Sequence, residues 1–215
     1  IMDGNGRWAR KHNCSKKKGH EAGVNNCINI CKNLKNIDFS INELSFYVFS
    51  TENWNRNSFE IHNLFNLIEK FYINFKETAE MYNLVVRHCG SRKKLSKKML
   101  KIIDSVTTST KKNSGTNINL MFNYGSRQEI TDAMSLMIKT KKKKANIRNF
   151  FYLPKSSDPD LIIRTGGEQR LSNFMLWQSA YAELYFTKIL WPDFKALNLN
   201  NAIKKYFERN RKYGK

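Results

Sequence analysis

The sequence predicts an α/β fold: a single domain, residues 1–215, with a mainly parallel central sheet flanked by helices. Three observations predict it. Short apolar runs of strand length alternate with segments of helical period along the whole chain. At 215 residues the chain is long enough for one sizeable core, and no linker-like stretch divides it. Polar clusters rich in Gly, Asn and Arg follow several of the apolar runs, where the strands of open α/β sheets present their ligand sites.

Ile1-Met2 reads as the stub of a strand, so the chain is entered partway through its first strand, and Asp3-Gly-Asn-Gly-Arg-Trp8 follows as a polar turn. Val24, Cys27, Ile28, Cys31 and Leu34 recur at helical spacing within a helix from about Gly19 to Asn36. Glu43–Phe49 reads as a strand, Ser50–Arg56 as a polar loop, and Asn57 with Glu60 as the start of a long helix. That helix places Ile61, Leu64, Phe65, Ile68, Phe71, Tyr72 and Phe75 on one side. Leu84–Cys89 is a strand, and a second amphipathic helix carries Leu95, Met99, Ile102, Ile103 and Val106. Ile118–Phe122 is a strand ending at Asn123-Tyr-Gly125, after which Ser126 and Glu129 have the spacing of a capping box. Asp160–Ile163 and Leu184–Phe186 are later strands, and a last helix runs from about Asn200 to Arg211. The motifs at Asp3, Ser50, Asn123 and Arg164 each follow a strand and are expected to converge at the sheet's C-terminal edge.

Thirty-eight Lys and Arg stand against 18 Asp and Glu, a formal net charge of +20 that favours anionic partners. Lysine greatly outnumbers arginine, so much of this charge is a diffuse Lys/Asn drift. The runs Lys16–Lys18 and Lys141–Lys144 read as solvated loops, or else as a membrane-surface or nucleic-acid patch. The scarcer arginines are more informative, because Arg7, Arg56, Arg164 and Arg170 fall inside the motifs. No Cys-x-x-Cys pair occurs; Cys27 and Cys31 sit on an apolar helix face, as core residues in a reducing, intracellular setting. No apolar run is long enough to span a bilayer.

Two clusters carry chemistry. Arg164-Thr-Gly-Gly-Glu-Gln-Arg-Leu-Ser172 places two guanidinium forks and a hydroxyl on a Gly-rich turn, which suits an anion with several oxygens. In Asp3-Gly-Asn-Gly-Arg-Trp8 the glycines let backbone N–H groups approach a phosphate, and Asp3 is placed to hold a Mg2+ shared with phosphate oxygens.

Met2–Ala9, Gly19-His20, Phe49-Ser-Thr-Glu-Asn-Trp-Asn-Arg56, Asn123-Tyr-Gly125 and Arg164–Phe186 together resemble the cis-prenyltransferases, the family of undecaprenyl and dehydrodolichyl diphosphate synthases. The match covers nearly the whole chain, in the family's order and approximate spacing. The resemblance implies an undecaprenyl diphosphate synthase-like fold with a hydrophobic product tunnel. It also implies condensation of isopentenyl diphosphate onto farnesyl diphosphate, dependent on Mg2+, in a homodimer with peripheral membrane contact. The product is a long-chain polyprenyl diphosphate for dolichol or another polyprenol lipid carrier.

By that resemblance Asp3 binds the Mg2+ that bridges to the allylic diphosphate. Gly4, Asn5, Gly6 and Arg7, with Trp8, Lys16 and His20, surround that diphosphate. Arg164, Arg170, Leu171 and Ser172 hold isopentenyl diphosphate. Glu183 matches a second metal-contacting acid, acting in the dimer at the partner's site, or else a structural acid. Asn53 matches a residue that assists proton removal; an amide is a poor base, so it positions the proton while a diphosphate oxygen takes it. Ser50, Thr51, Glu52, Trp54 and Arg56 match a mobile loop, leading to the helix start at Glu60. Trp54 is either a loop anchor or a substrate contact, and His20 either a phosphate ligand or a helix cap.

The tunnel walls are expected from Leu44–Phe49, Ile118–Phe122 and the helix near Phe59–Phe75, though such residues suit an ordinary core as well. Burying a methylene is worth about 0.8 kcal/mol, so each isoprene unit holds the growing chain in place. The sequence departs from the family pattern at Lys16, where many members have arginine, and at Gln169, where some bacterial members have histidine. Lys212-Tyr-Gly214 stands where Arg-x-Gly reaches across the dimer, with Lys212 or Arg211 taking the phosphate. A non-catalytic partner subunit would lack the Asp-Gly-Asn-Gly-Arg block. A nucleic-acid module explains the charge but not Asp3, Asn53 and Glu183, because carboxylates facing phosphate need a metal; no nucleic-acid partner is expected.

Overall fold

A computed structural model describes residues 1–141 and 145–210. Lys142–Lys144 of the second lysine run, and Arg211, Lys212 and Gly214, lie outside the described residues. The chain folds as two compact units. Of the described residues, one contains 1–41, 159–170 and 181–210; the other contains 42–141, 145–158 and 171–180.

In the first unit Ile1–Asp3 runs beside β4 (Leu161–Arg164): the Thr165 amide donates to the Ile1 carbonyl at 3.2 Å and the Asp3 amide to Thr165 Oγ1 at 3.0 Å. α1 (Asn5–Lys11) and α2 (Lys16–Lys32) follow. α2 starts three residues before the expected boundary because Ser15 caps it, its hydroxyl accepting from the Lys18 amide. Its inner face buries Cys27, Ile30 and Cys31, and Asn26 Nδ2 donates to the carbonyls of Trp191 and Phe194 at 2.7 and 2.8 Å. β5 (Glu183–Phe186) pairs parallel with β4, Leu161 opposite Glu183 and Arg164 opposite Phe186. α6 is Ala196–Phe207.

The second unit holds a parallel three-stranded sheet in the order β1 (Glu43–Ser50), β3 (Asn117–Tyr124), β2 (Val85–Cys89). Its helices are α3 (Ser58–Met81), α4 (Lys97–Ser109) and α5 (Ser126–Lys139). β3 is central and almost wholly buried, as a covered parallel strand requires. α3 buries Ile68, Phe71, Tyr72 and Phe75. Asn57 caps it as expected, its Oδ1 accepting from the Phe59 amide at 2.8 Å, while the Glu60 carboxylate pairs with Arg56 at 3.1 Å. The predicted capping box at Ser126 does not form. Gly125 is the N-cap residue, Ser126 is already helical, and Glu129 is turned into the core at 1% exposure.

The alternation of strand and helix is as the sequence predicts, and every strand pair among the described residues is parallel. Among the described residues no helix is long and apolar enough to cross a membrane.

Candidate active site

The first unit assembles an ionic cluster around Asp3, which follows the strand-like Ile1-Met2. Its backbone is fixed on both sides: the Asp3 carbonyl accepts from Thr165 Oγ1 at 2.8 Å and from the Trp191 amide at 3.0 Å. Its two carboxylate oxygens take two different arginines, Oδ1 lying 3.1 Å from Arg7 Nη2 and Oδ2 3.0 Å from Arg164 Nη2. Arg164 ends β4 and is 5% exposed, with its other Nη bonded to the Arg170 carbonyl. Arg7, on α1, also donates to the Gly166 carbonyl at 2.5 Å and lies 3.8 Å from Glu168. Arg170 pairs with Glu168 at 2.5 Å. The chain can close this tightly only because residue 166 is glycine: its φ is +84°, and a Cβ there would stand 2.6 Å from Arg7 Nη2.

Three guanidiniums thus face two carboxylates. The Trp8 indole donates to Asp193 Oδ1 at 2.8 Å, and its ring stacks on His12 at 4.1 Å. Gly4 adopts a left-handed conformation (φ 117°) as the N-cap of α1. Lys16 is exposed and His20 half-buried on α2, and the Lys16 Cε atom lies about one contact distance (4.0 Å) from where a Gly6 Cβ would be.

The second unit assembles the Ser50–Arg56 segment at the C-terminal ends of β1 and β3, where Ser50 registers with Tyr124. Thr51–Asn55 is a 3-10 turn closed by a capping box, the Asn53 Oδ1 accepting from the Ser50 amide at 3.0 Å and the Ser50 hydroxyl accepting from the Asn53 amide. Register shifts between Tyr47 and Ser50 disturb the β1–β3 ladder, and Asn123 there adopts φ +55°. That twist aims the Asn123 side chain sideways. Its Oδ1 accepts from the Trp54 indole at 2.8 Å and its Nδ2 donates to the carbonyls of Ser91 and Lys93 at 2.8 and 2.9 Å. Lys94 Nζ lies 5.9 Å from the Trp54 ring centre. The Trp54 indole is thus tied to the end of β3 through Asn123. Phe65 from α3 meets Trp54, Phe49 and Phe122 with ring centres 5.2–5.4 Å apart, so α3, β1 and β3 join through aromatic rings.

Leu171 leads into Ser172, which is exposed at φ +46°; its carbonyl accepts from the Tyr47 hydroxyl at 3.3 Å. The next residue, Asn173, has no counterpart among the residues singled out from sequence. Its carbonyl accepts from the Ser126 amide and its Oδ1 from the Arg127 amide, both at 2.9 Å, while its Nδ2 donates to Glu52 Oε1 at 2.6 Å. Asn173 thus does for α5 what the missing capping box does not. Partial burial pushes the Glu52 carboxyl up, but hydrogen bonds from Asn173, its own backbone, Ser50 and Thr51 outweigh this and hold it below the ordinary glutamate value. Glu129, read from the sequence as a capping residue, instead has its carboxylate buried. It accepts from the Tyr124 hydroxyl at 2.7 Å, Gln178 Nε2 at 2.9 Å and the Tyr152 amide at 3.2 Å. Burial and this carboxylate push the Tyr124 phenol up.

Glu183 is placed elsewhere in the first unit. It opens β5 opposite Leu161, three residues back along β4 from Arg164, and its carboxylate bonds Arg209 at 2.5 Å. At about 3.3 Å per residue that separates the levels of Glu183 and Arg164 by roughly 10 Å. Among the described residues no three His, Cys, Asp or Glu side chains form a cluster fit to hold a metal by themselves.

The family model described as "Putative undecaprenyl diphosphate synthase" matches residues 1–214. An isoprenyl transferase of Clostridium tetani is 43% identical over the whole of this chain and 87% of its own. That of Thermotoga maritima is 42% identical, over the whole of this chain and 94% of its own. Among solved structures, lavandulyl diphosphate synthase from Lavandula x intermedia, in complex with dimethylallyl diphosphate, superposes with a TM-score of 0.91. It is 28% identical, covering 100% of this chain and 96% of that one. A probable undecaprenyl diphosphate synthase from Campylobacter jejuni reaches 0.78 at 34% identity over 90% of each chain. The motifs and these likenesses agree end to end: the chain belongs to the undecaprenyl diphosphate synthase family of cis-prenyltransferases and is an enzyme that transfers prenyl groups.

Proposed function

We propose that this enzyme condenses isopentenyl diphosphate onto farnesyl diphosphate, with Mg2+, and repeats the step to give a long-chain poly-cis polyprenyl diphosphate. Bacterial isoprenyl transferases among its relatives support a carrier of the undecaprenyl class over dolichol. The observation that carries the proposal is the Asp3 carboxylate bracketed by Arg7 and Arg164. A single carboxylate between two guanidiniums fits a Mg2+ that reaches its site together with diphosphate oxygens, because that ion commonly takes one or two carboxylates and completes its shell with phosphate and water. Bound there, it would supply charge neutralisation for the departing diphosphate.

The side chains account for the other steps. Arg7 and the amides after Gly4 take the allylic diphosphate, with His20 and Lys16 adding charge. As the allylic C1–O bond breaks, these donors stabilise the leaving diphosphate, and their effect is largest where its charge is greatest. Arg164, Arg170 and Ser172 orient isopentenyl diphosphate so that its terminal alkene carbon bonds to the allylic C1. A proton then leaves C2 for a diphosphate oxygen, guided by the Asn53 amide, and the new double bond forms.

The aromatic cluster of Phe49, Phe65 and Phe122 opens the proposed product tunnel between α3, β1 and β3. Exposed Leu184 on β5 and Tyr181 just before it support a homodimer formed along that strand, in which Glu183 serves the partner's site. Release of a long apolar product is slow enough that membrane or detergent should speed turnover. Labelled isopentenyl diphosphate tests the reading: Mg2+-dependent label in a solvent-extractable product is expected with farnesyl diphosphate, and chromatography then gives chain length. Absence of label with detergent and membranes present would overturn it.

A further inference from the structure

Asn173 touches both the Thr51–Asn55 turn and the start of α5, and it directly follows Ser172. Its three bonds, to Glu52, to the Arg127 amide and from the Ser126 amide to its carbonyl, fix the backbone on which Ser172 stands. The α5 amides it satisfies are those a helix start leaves without internal partners. Asparagine tolerates the φ of +64° that this position adopts. Gly125 makes the convergence sterically feasible: a Cβ there would lie 2.2 Å from Thr51 Oγ1 and 2.8 Å from Asn173 Nδ2.

We infer that Asn173 is a positioning residue that couples Ser172 to the Thr51–Asn55 turn, so that isopentenyl diphosphate binding at Ser172 and ordering of that turn are one event. The inference rests on the assignment of Ser172 to isopentenyl diphosphate. The donor at Nδ2 and the acceptor at Oδ1 have separate jobs, and one substitution separates them. Asn173→Asp keeps an acceptor for the Arg127 amide but sets a carboxylate against Glu52. Glu52→Gln supplies an amide donor that restores the contact from the other side.

The test is a double-mutant cycle on N173D, E52Q and E52Q/N173D, with KM measured for each substrate and the thermal midpoint for each variant. N173D is expected to raise the KM for isopentenyl diphosphate by about tenfold and to leave that for farnesyl diphosphate within about twofold. The double variant should return to within about threefold of wild type. Additive effects in the double variant, or equal rises for both substrates together with a lowered midpoint, would overturn the coupling. Ser172→Ala separates the two levels: if it leaves the isopentenyl diphosphate KM unchanged, the assignment of Ser172 fails, whereas rescue within the Glu52–Asn173 cycle reports on the coupling itself.

Discussion

Asp3 and Arg164 are 161 residues apart in sequence and meet at 3.0 Å, at the mouth of the cluster that also takes Arg7. Each guanidinium is held by the carboxylate and by a main-chain carbonyl, Gly166 for Arg7 and Arg170 for Arg164. Main-chain anchoring keeps the two forks aimed when Asp3 lets go of them. On the proposed function, the aspartate would act as a placeholder for the charge of the incoming diphosphate.

Asp3→Asn should free both forks without removing them. Metal-free diphosphate should then bind at least as tightly as to wild type, measured by calorimetry, while turnover falls by about a hundredfold or more. Weaker metal-free binding by the variant would show that Asp3 organises the arginines and does not compete with the anion.

Arg164→Lys keeps the charge at a 5% exposed position but loses the fork that spans Asp3 and Arg170. The kcat/KM for isopentenyl diphosphate is expected to fall by about a hundredfold, with the farnesyl diphosphate KM changed far less. A loss confined to the allylic substrate would mean that the two diphosphate sites are interchanged.

Trp54→Phe removes the indole donor to Asn123 and keeps a ring against Phe49 and Phe65. Loss of that hydrogen bond should cost about 1 kcal/mol of stability, and more where Asn123 Oδ1 stays buried and unsatisfied. Chemical denaturation gives the number; an unchanged midpoint would remove Trp54 as the loop's anchor.

His88 on β2 is held neutral, its pKa lowered to about 4 by burial first and by Arg92 second, with Asp104 opposing. Between that value and the ordinary 6.5 the unfolded chain binds the proton and the folded one does not. Stability therefore falls as pH drops through this window, by about 3 kcal/mol in all for this one group. His88→Leu should flatten that part of the stability–pH curve; an unchanged slope would place the acid sensitivity elsewhere.

The alternation of apolar runs made the strands and helices legible, because covered parallel strands such as β3 read as short, mainly apolar stretches. Asp3, Arg7, Arg164 and Arg170 were legible because glycines and scarce arginines mark them in a lysine-rich chain. Asn173 was not, since the drift toward asparagine hides it and it acts through left-handed backbone that sequence does not display. Ser126 and Glu129 had the spacing of a capping box, but spacing cannot show that Asn173, 46 residues from Arg127, already supplies the cap. Tertiary partners overrode a local signal there. Glu183 has a carboxylate of the right type, yet its register on β5 carries it away from Asp3 within its own chain.

The most direct test of the central claim is the initial rate of labelled isopentenyl diphosphate incorporation onto farnesyl diphosphate across a Mg2+ titration, for wild type and Asp3→Asn side by side. The account predicts a saturable Mg2+ dependence for wild type and a rate near background at every Mg2+ concentration for the variant. A variant rate that rises with Mg2+ to the wild-type level would contradict it.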